Sequence, residues 1–597
     1  MKKLLAYLKD YKVETVMGPL FKLLEATFEL IVPLVVAAII DTGIGMGDKP
    51  YIIRMGLVLV LLGAVGFTCS VIAQYFAAKA SACFAAAVKR DLFKNIQSLS
   101  YEQIDKLGTN TLITRMTSDM NQVQQGINLS LRLLLRSPFV VFGAMIMAFT
   151  IDVHQAMIFL ITIIILSIVV FGIMLWQIPR YKEVQVRLDK VLGLTRENLS
   201  GVRVIRAFHR ENEEVKDFRN KNEKLTVLQE HVGRVSALMN PLTYVILNLA
   251  IIILLKSGAD KVYAGVLTTG AVVALYNYMS QILVELVKLA NLIITITRSI
   301  ACGNRIQAMM EEKNSMEEGT LDASKASDSD YVLEFDNVSM RYQSDGEDSI
   351  ENVSFSVKKG ESLGIIGGTG SGKTTLINLI PRFYDATKGC VKYKGVDVKE
   401  YTTESLRNVI GIVPQKAVLF KGTIRDNLKW GNDKATDAEL MEAIEIAQAV
   451  DVVKSKKGGL DAEITQAGRN LSGGQKQRLT IARALVKKPE IIILDDSSSA
   501  LDNMTDSRLR SAISEIDYKP VMVVVSQRAS SVRNCDKIIV LDDGMVAGIG
   551  THNELMTSCE TYAEIYESQY GKDDPNMFTK GTAKTAIEML REAGANA

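Results

Sequence analysis

Long, nearly unbroken apolar runs crowd the first 300 residues, and beyond them the chain alternates charged stretches with short strand-like runs. A helix crossing a hydrocarbon core needs roughly 20 mostly apolar residues. Six segments qualify, at about 17–40, 56–80, 132–152, 155–178, 238–258 and 266–300. The last is longer than a crossing requires and is expected to continue into water. Two polar stretches with helical periodicity, about 81–131 and 179–237, join spans, so the helices of spans two to five are predicted to run well past the bilayer. The opening MKKLLAYLKDYK could pass for the basic start of a signal peptide. No small-residue cleavage pattern follows, however, and the first apolar run carries Glu25, Glu29 and Pro33. It reads as an amphipathic interfacial helix that stays on the protein.

Basic residues set the orientation. The stretch 179–237 carries Arg180, Lys182, Arg187, Lys190, Arg196, Arg203, Arg206 and Arg210, whereas the turn at Ile151 and Asp152 carries no Lys or Arg. Positive residues stay inside, so both long loops and, with an even number of spans, both termini are expected in the cytoplasm of a plasma membrane protein. The membrane domain is therefore placed at 1–308. Residues 309–330 are polar and acidic without an apolar period and read as a linker. From 331 to 570, runs such as YVLEF, SLGIIG, EIIILDD, VMVVVS and KIIVLDD alternate with helical stretches, the pattern of an α/β fold. Residues 571–597 form a tail whose role is not readable.

Composition changes this picture only by exclusion. The 597 residues are 48% hydrophobic and 23% charged, with 69 basic and 67 acidic residues for a net charge of +2. That balance argues against disorder and against a protein that coats nucleic acid. The four histidines, His154, His209, His231 and His552, have no metal-ligand spacing. The six cysteines form no CxxC pair and read as reduced or buried thiols.

The chemistry lies in the α/β half. Gly367-Gly368-Thr369-Gly370-Ser371-Gly372-Lys373-Thr374 matches GxxxxGK[ST] between an apolar run and a helical one, with Thr375 next. Its glycines let backbone N–H groups turn toward phosphates, Lys373 neutralises β and γ charge, and the Thr374 hydroxyl can ligate Mg²⁺. The run Pro489–Leu494 ends in Asp495 and Asp496. Asp495 is placed to hold Mg²⁺ through water, and Asp496 stands where a general base for the attacking water would sit. Between these motifs, Leu471-Ser472-Gly473-Gly474-Gln475 opens a helix.

The order P-loop, LSGGQ and paired carboxylates resembles ATP-binding cassette proteins. With six spans ahead of the cassette, residues 10–570 resemble a half-transporter of the ABC exporter family. The resemblance implies an all-α six-span membrane domain followed by a P-loop α/β cassette that uses ATP and Mg²⁺. It places Tyr342 against adenine and Gln415 in the Q-loop that reaches Mg²⁺. Ser499-Ala500-Leu501-Asp502 would be the D-loop crossing a dimer interface. Two stretches, QSLSYEQIDKLGTNTLITRMTSD and ENLSGVRVIRAFHRE, resemble the intracellular loops whose short helices meet the cassettes, with solvated hairpins as the plain alternative.

Two positions depart from the family pattern. Asp496 replaces the expected glutamate, and Gln527 stands where the switch histidine would be. Gln466 is a softer departure, near where many exporters carry an acidic residue. Because the signature is intact while the chain's own catalytic positions are altered, the expectation is a heterodimer. A different half-transporter would bring the glutamate and histidine to the site completed by Leu471–Gln475, and this chain's site would bind ATP well and hydrolyse it slowly. A homodimer that manages with aspartate, and an ATP-gated channel or regulatory membrane protein, remain the alternatives to an ATP-driven multidrug-type exporter of a small amphipathic substrate. A soluble chromosome or repair ATPase has no use for six spans. Glu25, Glu29, Glu285 and Lys288 lie inside predicted spans, where charge is costly. They line a cavity for amphipathic cations, or they lie at cytoplasmic helix ends with Glu285 and Lys288 paired; the sequence leaves both open.

Overall fold

The computed structural model describes residues 1, 3–342 and 346–571, with the side chains of Ser498, Ser499 and Asn503 left aside. The chain divides into two compact units, Met1–Ser98 with Leu107–Lys313, and Leu99–Lys106 with Asn314 onward.

The first unit is helical throughout. Helices α1 (Leu4–Ile44), α2 (Lys49–Ser98), α4 (Thr109–Ile151), α5 (Val153–Ser200), α7 (Glu211–Tyr263) and α8 (Thr269–Glu311) are long and apolar enough to cross a membrane. The short α6 (Val202–Ala207) interrupts the series, and the short α3 (Tyr101–Leu107), all but its last residue, belongs to the second unit. At about 1.5 Å per residue, the 50 residues of α2 and the 53 of α7 far exceed a bilayer core. The expected extensions are therefore present. The interfacial stretch at the start runs directly into the first span as one helical run.

Small residues explain how α1 and α2 approach so closely. Ala73, Ala77 and Ala80 are fully buried, and a side chain on Gly18 would meet the Ala77 backbone nitrogen at 3.5 Å. Such small-residue stripes let apolar helices pack by van der Waals contact where no water drives them together. A core of Ala26, Leu30, Val140, Phe159, Leu275 and Met279, among others, joins the spans. The Tyr278 hydroxyl donates to the Leu30 carbonyl at 2.6 Å.

The second unit carries two main sheets. One contains β1 (Leu333–Met340), β2 (Ile350–Val357), β4 (Lys388–Tyr393) and β5 (Val396–Asp397), in the antiparallel order β2-β1-β4-β5. The other contains β3 (Ser362–Gly367), β6 (Ile410–Val413), β9 (Ile491–Asp495), β10 (Val521–Ser526), β11 (Lys537–Asp542) and β12 (Met545–Gly550). Its order is β12-β11-β3-β10-β9-β6, parallel except at β12. A small pair, β7 (Gly422–Thr423) and β8 (Glu463–Ile464), stands apart. Strands β3, β9 and β10 are almost wholly apolar and buried, as a parallel sheet covered on both faces requires. Ile366 lies opposite Ser526 and Asp495 opposite Val525, so three strands end level at one edge. Helices α9 (Lys373–Leu379), α10 (Gly473–Leu485), α11 (Asn503–Ser514), α12 (Ala529–Val532) and α13 (Glu560–Tyr570) complete the parts used below.

Two boundaries differ from the sequence expectation. The first unit ends at Lys313 rather than 308, because α8 continues to Glu311. Much of the stretch 309–330 is also folded rather than a free linker. The Thr320 and Leu321 amides donate to the Glu400 carbonyl at 2.8 and 2.9 Å, Arg382 holds the Glu317 carbonyl at 2.8 Å, and Ala323 is buried. Backbone hydrogen bonds need no apolar period, so composition alone could not reveal them. The tail at 571–597 lies, apart from Gly571, outside the described residues.

Candidate functional site

At the level edge of the parallel sheet, the loop after β3 wraps into α9. Gly370 and Gly372 have φ of 86° and 91°, where a side chain is strained, and a Cβ on Gly372 would also meet the Ser349 carbonyl at 2.7 Å. A cleft of about 380 Å³ opens there. Its walls include Thr369 through Thr375, Gln415, Asp495, Asp496 and Gln527, brought from four separate strand ends. Gly367 and Gly368 form the turn beneath it. Asp348, Ser349, Asp543 and Gly544 also line the cleft; they belong to no motif, and only the fold brings them there.

Lys373 is the centre of the charge arrangement. Its ammonium donates to the carbonyls of Gly367 and Gly368 at 2.9 and 2.5 Å and to Ser371 Oγ at 3.3 Å. All three partners are neutral oxygens, and burial lowers its pKa, with the carboxylates of Asp496 and Asp495 opposing that shift. Burial pushes the Asp495 carboxyl up to about 6, helped by the Asp496 charge and eased by Lys373 and by a Gln415 backbone hydrogen bond. A buried cation held by neutral groups beside a carboxyl poorly disposed to ionise is a site chemically suited to an anion and a divalent cation together. Thr374, Gln415 and Asp495 are the oxygen donors that could hold Mg²⁺.

Asp496 takes φ 43°, and its carboxylate accepts from Gln415 Nε2 at 3.3 Å. Tyr342 donates its hydroxyl to Thr375 Oγ1 at 3.1 Å and meets the Tyr384 ring edge-on at 5.1 Å. Tyr384 in turn donates to Asp105 at 2.6 Å, and Tyr101 lies over Phe383 at 4.4 Å. Helix α3, apart from its last residue, is thus part of the second unit.

Leu471–Gln475 and Ser499–Asp502 form a second group. Ser472 caps α10, with its Oγ accepting from the Gln475 amide at 3.3 Å while Gln475 Oε1 accepts from the Ser472 amide at 3.0 Å. A Cβ on Gly474 would lie 2.9 Å from the Ala500 carbonyl, so this glycine permits a close approach. Leu471 and Leu501 are buried in the same core, and Gly473 is exposed. Asp502 caps α11, accepting from the Thr505 amide at 2.9 Å. Ser499 contributes backbone to the turn before α11.

The charged residues of the spans do not form an open acidic lining. Glu285 accepts from Arg136 at 2.6 Å, Ser137 at 2.8 Å and Lys288 at 2.8 Å, and Arg136 reaches Glu29 with its other nitrogen at 2.6 Å. Lys22 holds Glu25 at 2.5 Å. Their charges are matched within the bundle. Arg136 is the residue that sequence reasoning passed over, although an arginine inside the predicted span 132–152 is the signal that marks it.

Family models match both halves of the chain: the ABC transporter transmembrane region over residues 15–286 and the ABC transporter cassette over 350–499. YfiB of Bacillus subtilis (strain 168), an uncharacterized ABC transporter ATP-binding protein, is 36% identical over 577 residues, 96% of this chain and 99% of that protein. The chain belongs to the ABC transporter family. It is an exporter-type half-transporter, with a membrane domain fused to an ATP-binding cassette, and a multi-pass protein of a prokaryotic plasma membrane. YgaD of the same bacterium, a candidate multidrug export ATP-binding/permease protein, is 31% identical over 96% of this chain and 98% of its own. The ATP-dependent lipid A-core flippase of Salmonella typhimurium is 27% identical over 94% of this transporter and 96% of the flippase. A solved bacterial Atm1-family ABC exporter with ATP bound shares the fold, with a TM-score of 0.77 at 23% identity over 94% of this transporter and 99% of that chain.

Proposed function

We propose that this chain is one half of a heterodimeric ABC exporter that moves a small amphipathic substrate outward across the plasma membrane. Both termini lie in the cytoplasm. Its own site binds ATP and Mg²⁺ but hydrolyses slowly, and its signature completes the working site on a different half-transporter that carries the glutamate and the histidine.

The observation that carries this reading is the contrast within one cleft. Lys373, Thr374, Gln415 and Asp495 all line it, and so do Asp496 and Gln527, which we read as the base and switch residues. Lys373 meets the β- and γ-phosphates, Tyr342 stacks on adenine above Thr375, and Thr374, Gln415 and Asp495 hold the metal. Aspartate is one methylene shorter than glutamate, which withdraws the base by about 1 Å, a displacement that can cost about 10²-fold in rate. A glutamine amide can still donate to a γ-phosphate but adds no positive charge. The Ser472–Gln475 turn, open at the N-terminus of α10, offers backbone N–H groups to a phosphate on another chain. Around α6, the exposed Leu199, Val204 and Phe208 supply apolar surface that a second half-transporter would cover. The names of YgaD and the lipid A-core flippase support an amphipathic substrate, and the internal pairing of Glu25, Glu29 and Glu285 does not favour a cation site there.

Expression of the chain alone tests the pairing. Slow ATPase that rises on Asp496→Glu with Gln527→His is expected; near-normal ATPase that survives Asp496→Asn would establish a working homodimer instead. Reconstituted with its partner in liposomes, the pair should accumulate substrate uphill with ATP, and purely downhill flux would mark a channel.

A further inference from the structure

The loop that carries Gln527 is held from outside the nucleotide motifs. Strand β10 ends at Ser526 and α12 begins at Ala529, so residues 527 and 528 belong to neither element. Their backbone groups are nevertheless engaged. The Arg528 amide donates to Ser526 Oγ at 3.0 Å. The Arg528 carbonyl accepts from the Ser531 amide at 3.0 Å, and Gln569, about forty residues on, adds two bonds across the loop with a single side-chain amide. Its Nε2 donates to the Gln527 carbonyl at 2.8 Å, and its Oε1 accepts from the Ala529 amide at 2.9 Å.

The helix that presents Gln569 is firmly seated. Tyr562 and Tyr566 of α13 are fully buried, and the Tyr562 hydroxyl meets His552 Nδ1 at 2.8 Å. Gln569 lies about one turn beyond Tyr566, near the end of α13, and faces the loop. A side-chain amide that bonds one residue's carbonyl and the amide two positions on fixes the backbone between them, as a neighbouring strand would.

We propose that Gln569 is a positioning residue for the switch loop, fixing the backbone of Gln527 so that its side chain stays in the ATP cleft. The inference rests on the reading above that Gln527 meets the nucleotide. Without the clamp the loop samples other conformations, and apparent affinity falls with the fraction that remains competent. Because Gln569 is exposed, its two neutral hydrogen bonds lie at the weak end of the usual range and together set that fall at about five- to tenfold.

The test uses the full-length transporter in detergent, with MgATP titrated against trinitrophenyl-ATP, alongside hydrogen exchange over residues 524–531. Gln569→Ala should speed exchange at Ala529 and weaken MgATP about five- to tenfold, with the unfolding midpoint of the cassette lowered by no more than a few degrees. Gln569→Glu keeps the acceptor for Ala529 but sets a carboxylate against the Gln527 carbonyl. Relative to wild type at each pH, it should bind MgATP weakly at pH 7.5 and recover toward pH 5, as the protonated carboxyl regains a donor; a merely structural role would give no such profile. Gln527→Ala should weaken MgATP similarly, and the double variant no further. If Gln527→Ala weakens binding and Gln569→Ala does not, the clamp is overturned and the site reading stands. If neither does while Lys373→Ala abolishes binding, both fall together.

Discussion

Asp495 offers a direct way to measure how burial and a neighbouring charge shape the cleft. Its carboxyl is raised from 3.8 to about 6, chiefly by burial and secondarily by Asp496. Between those values the folded cassette holds a proton that the unfolded chain has lost, so stability falls as pH rises through the window and stays low above it. The full penalty at pH 7.5 is about 3 kcal/mol, reduced to about 1.5 where water enters the cleft mouth. Asp495→Asn removes the charge while retaining an oxygen that can accept from the Gln415 amide. The nucleotide-free Asn variant should therefore unfold at a temperature higher by roughly 3–12 °C in the cassette transition at pH 7.5. The advantage should shrink to about half at pH 5. MgATP should reverse the order, because the cation favours the ionised carboxylate and the variant has none to offer. The measurement is thermal unfolding of the purified full-length transporter across pH, with and without MgATP. An Asn variant no more stable than wild type at pH 7.5, or an advantage that does not change with pH, would refute the reasoning.

Two further outcomes follow from close contacts in the structure. Arg136→Met leaves Glu285, whose side chain is 4% exposed, without its buried cationic partner, and should destabilise the membrane unit by about 3–5 kcal/mol. Adding Glu285→Gln should restore most of the unfolding temperature, and a double variant as unstable as the single one would show that charge burial is not the cause. Gly474→Ala drives a Cβ to 2.9 Å from the Ala500 carbonyl, so the signature or the D-loop must shift. ATPase of the assembled transporter should fall at least about tenfold with ATP binding to this chain's own cleft unchanged, and retained ATPase would show that the contact yields freely.

The parts legible in the sequence were those whose physics is written locally. A P-loop announces itself because Gly372 must adopt a left-handed backbone and Lys373 must follow it. The spans announce themselves because about 20 apolar residues have few other uses. What escaped depended on partners distant in sequence. Gln569 looks like any polar residue at a helix end until the fold sets it against residue 527. Glu285 suggested a ligand site only while its match to Arg136, 149 positions away, was unseen. The stretch 309–330 looked like a tether because its order is carried by backbone carbonyls, and carbonyls are the same in every residue.

The eight residues Leu99–Lys106 lie in sequence between two membrane helices yet fold with the cassette. The cassette is therefore not a continuous module. A fragment beginning at residue 314 would lack Tyr101 and Asp105, leaving Phe383 without its neighbouring ring and Tyr384 without its acceptor. Grafting this cassette onto another transporter, or exchanging cassettes between two half-transporters, would split a structural unit unless both pieces moved together. Compatibility between a membrane domain and a motor is here written partly into the membrane domain's own sequence, and recombination at the apparent junction would break it.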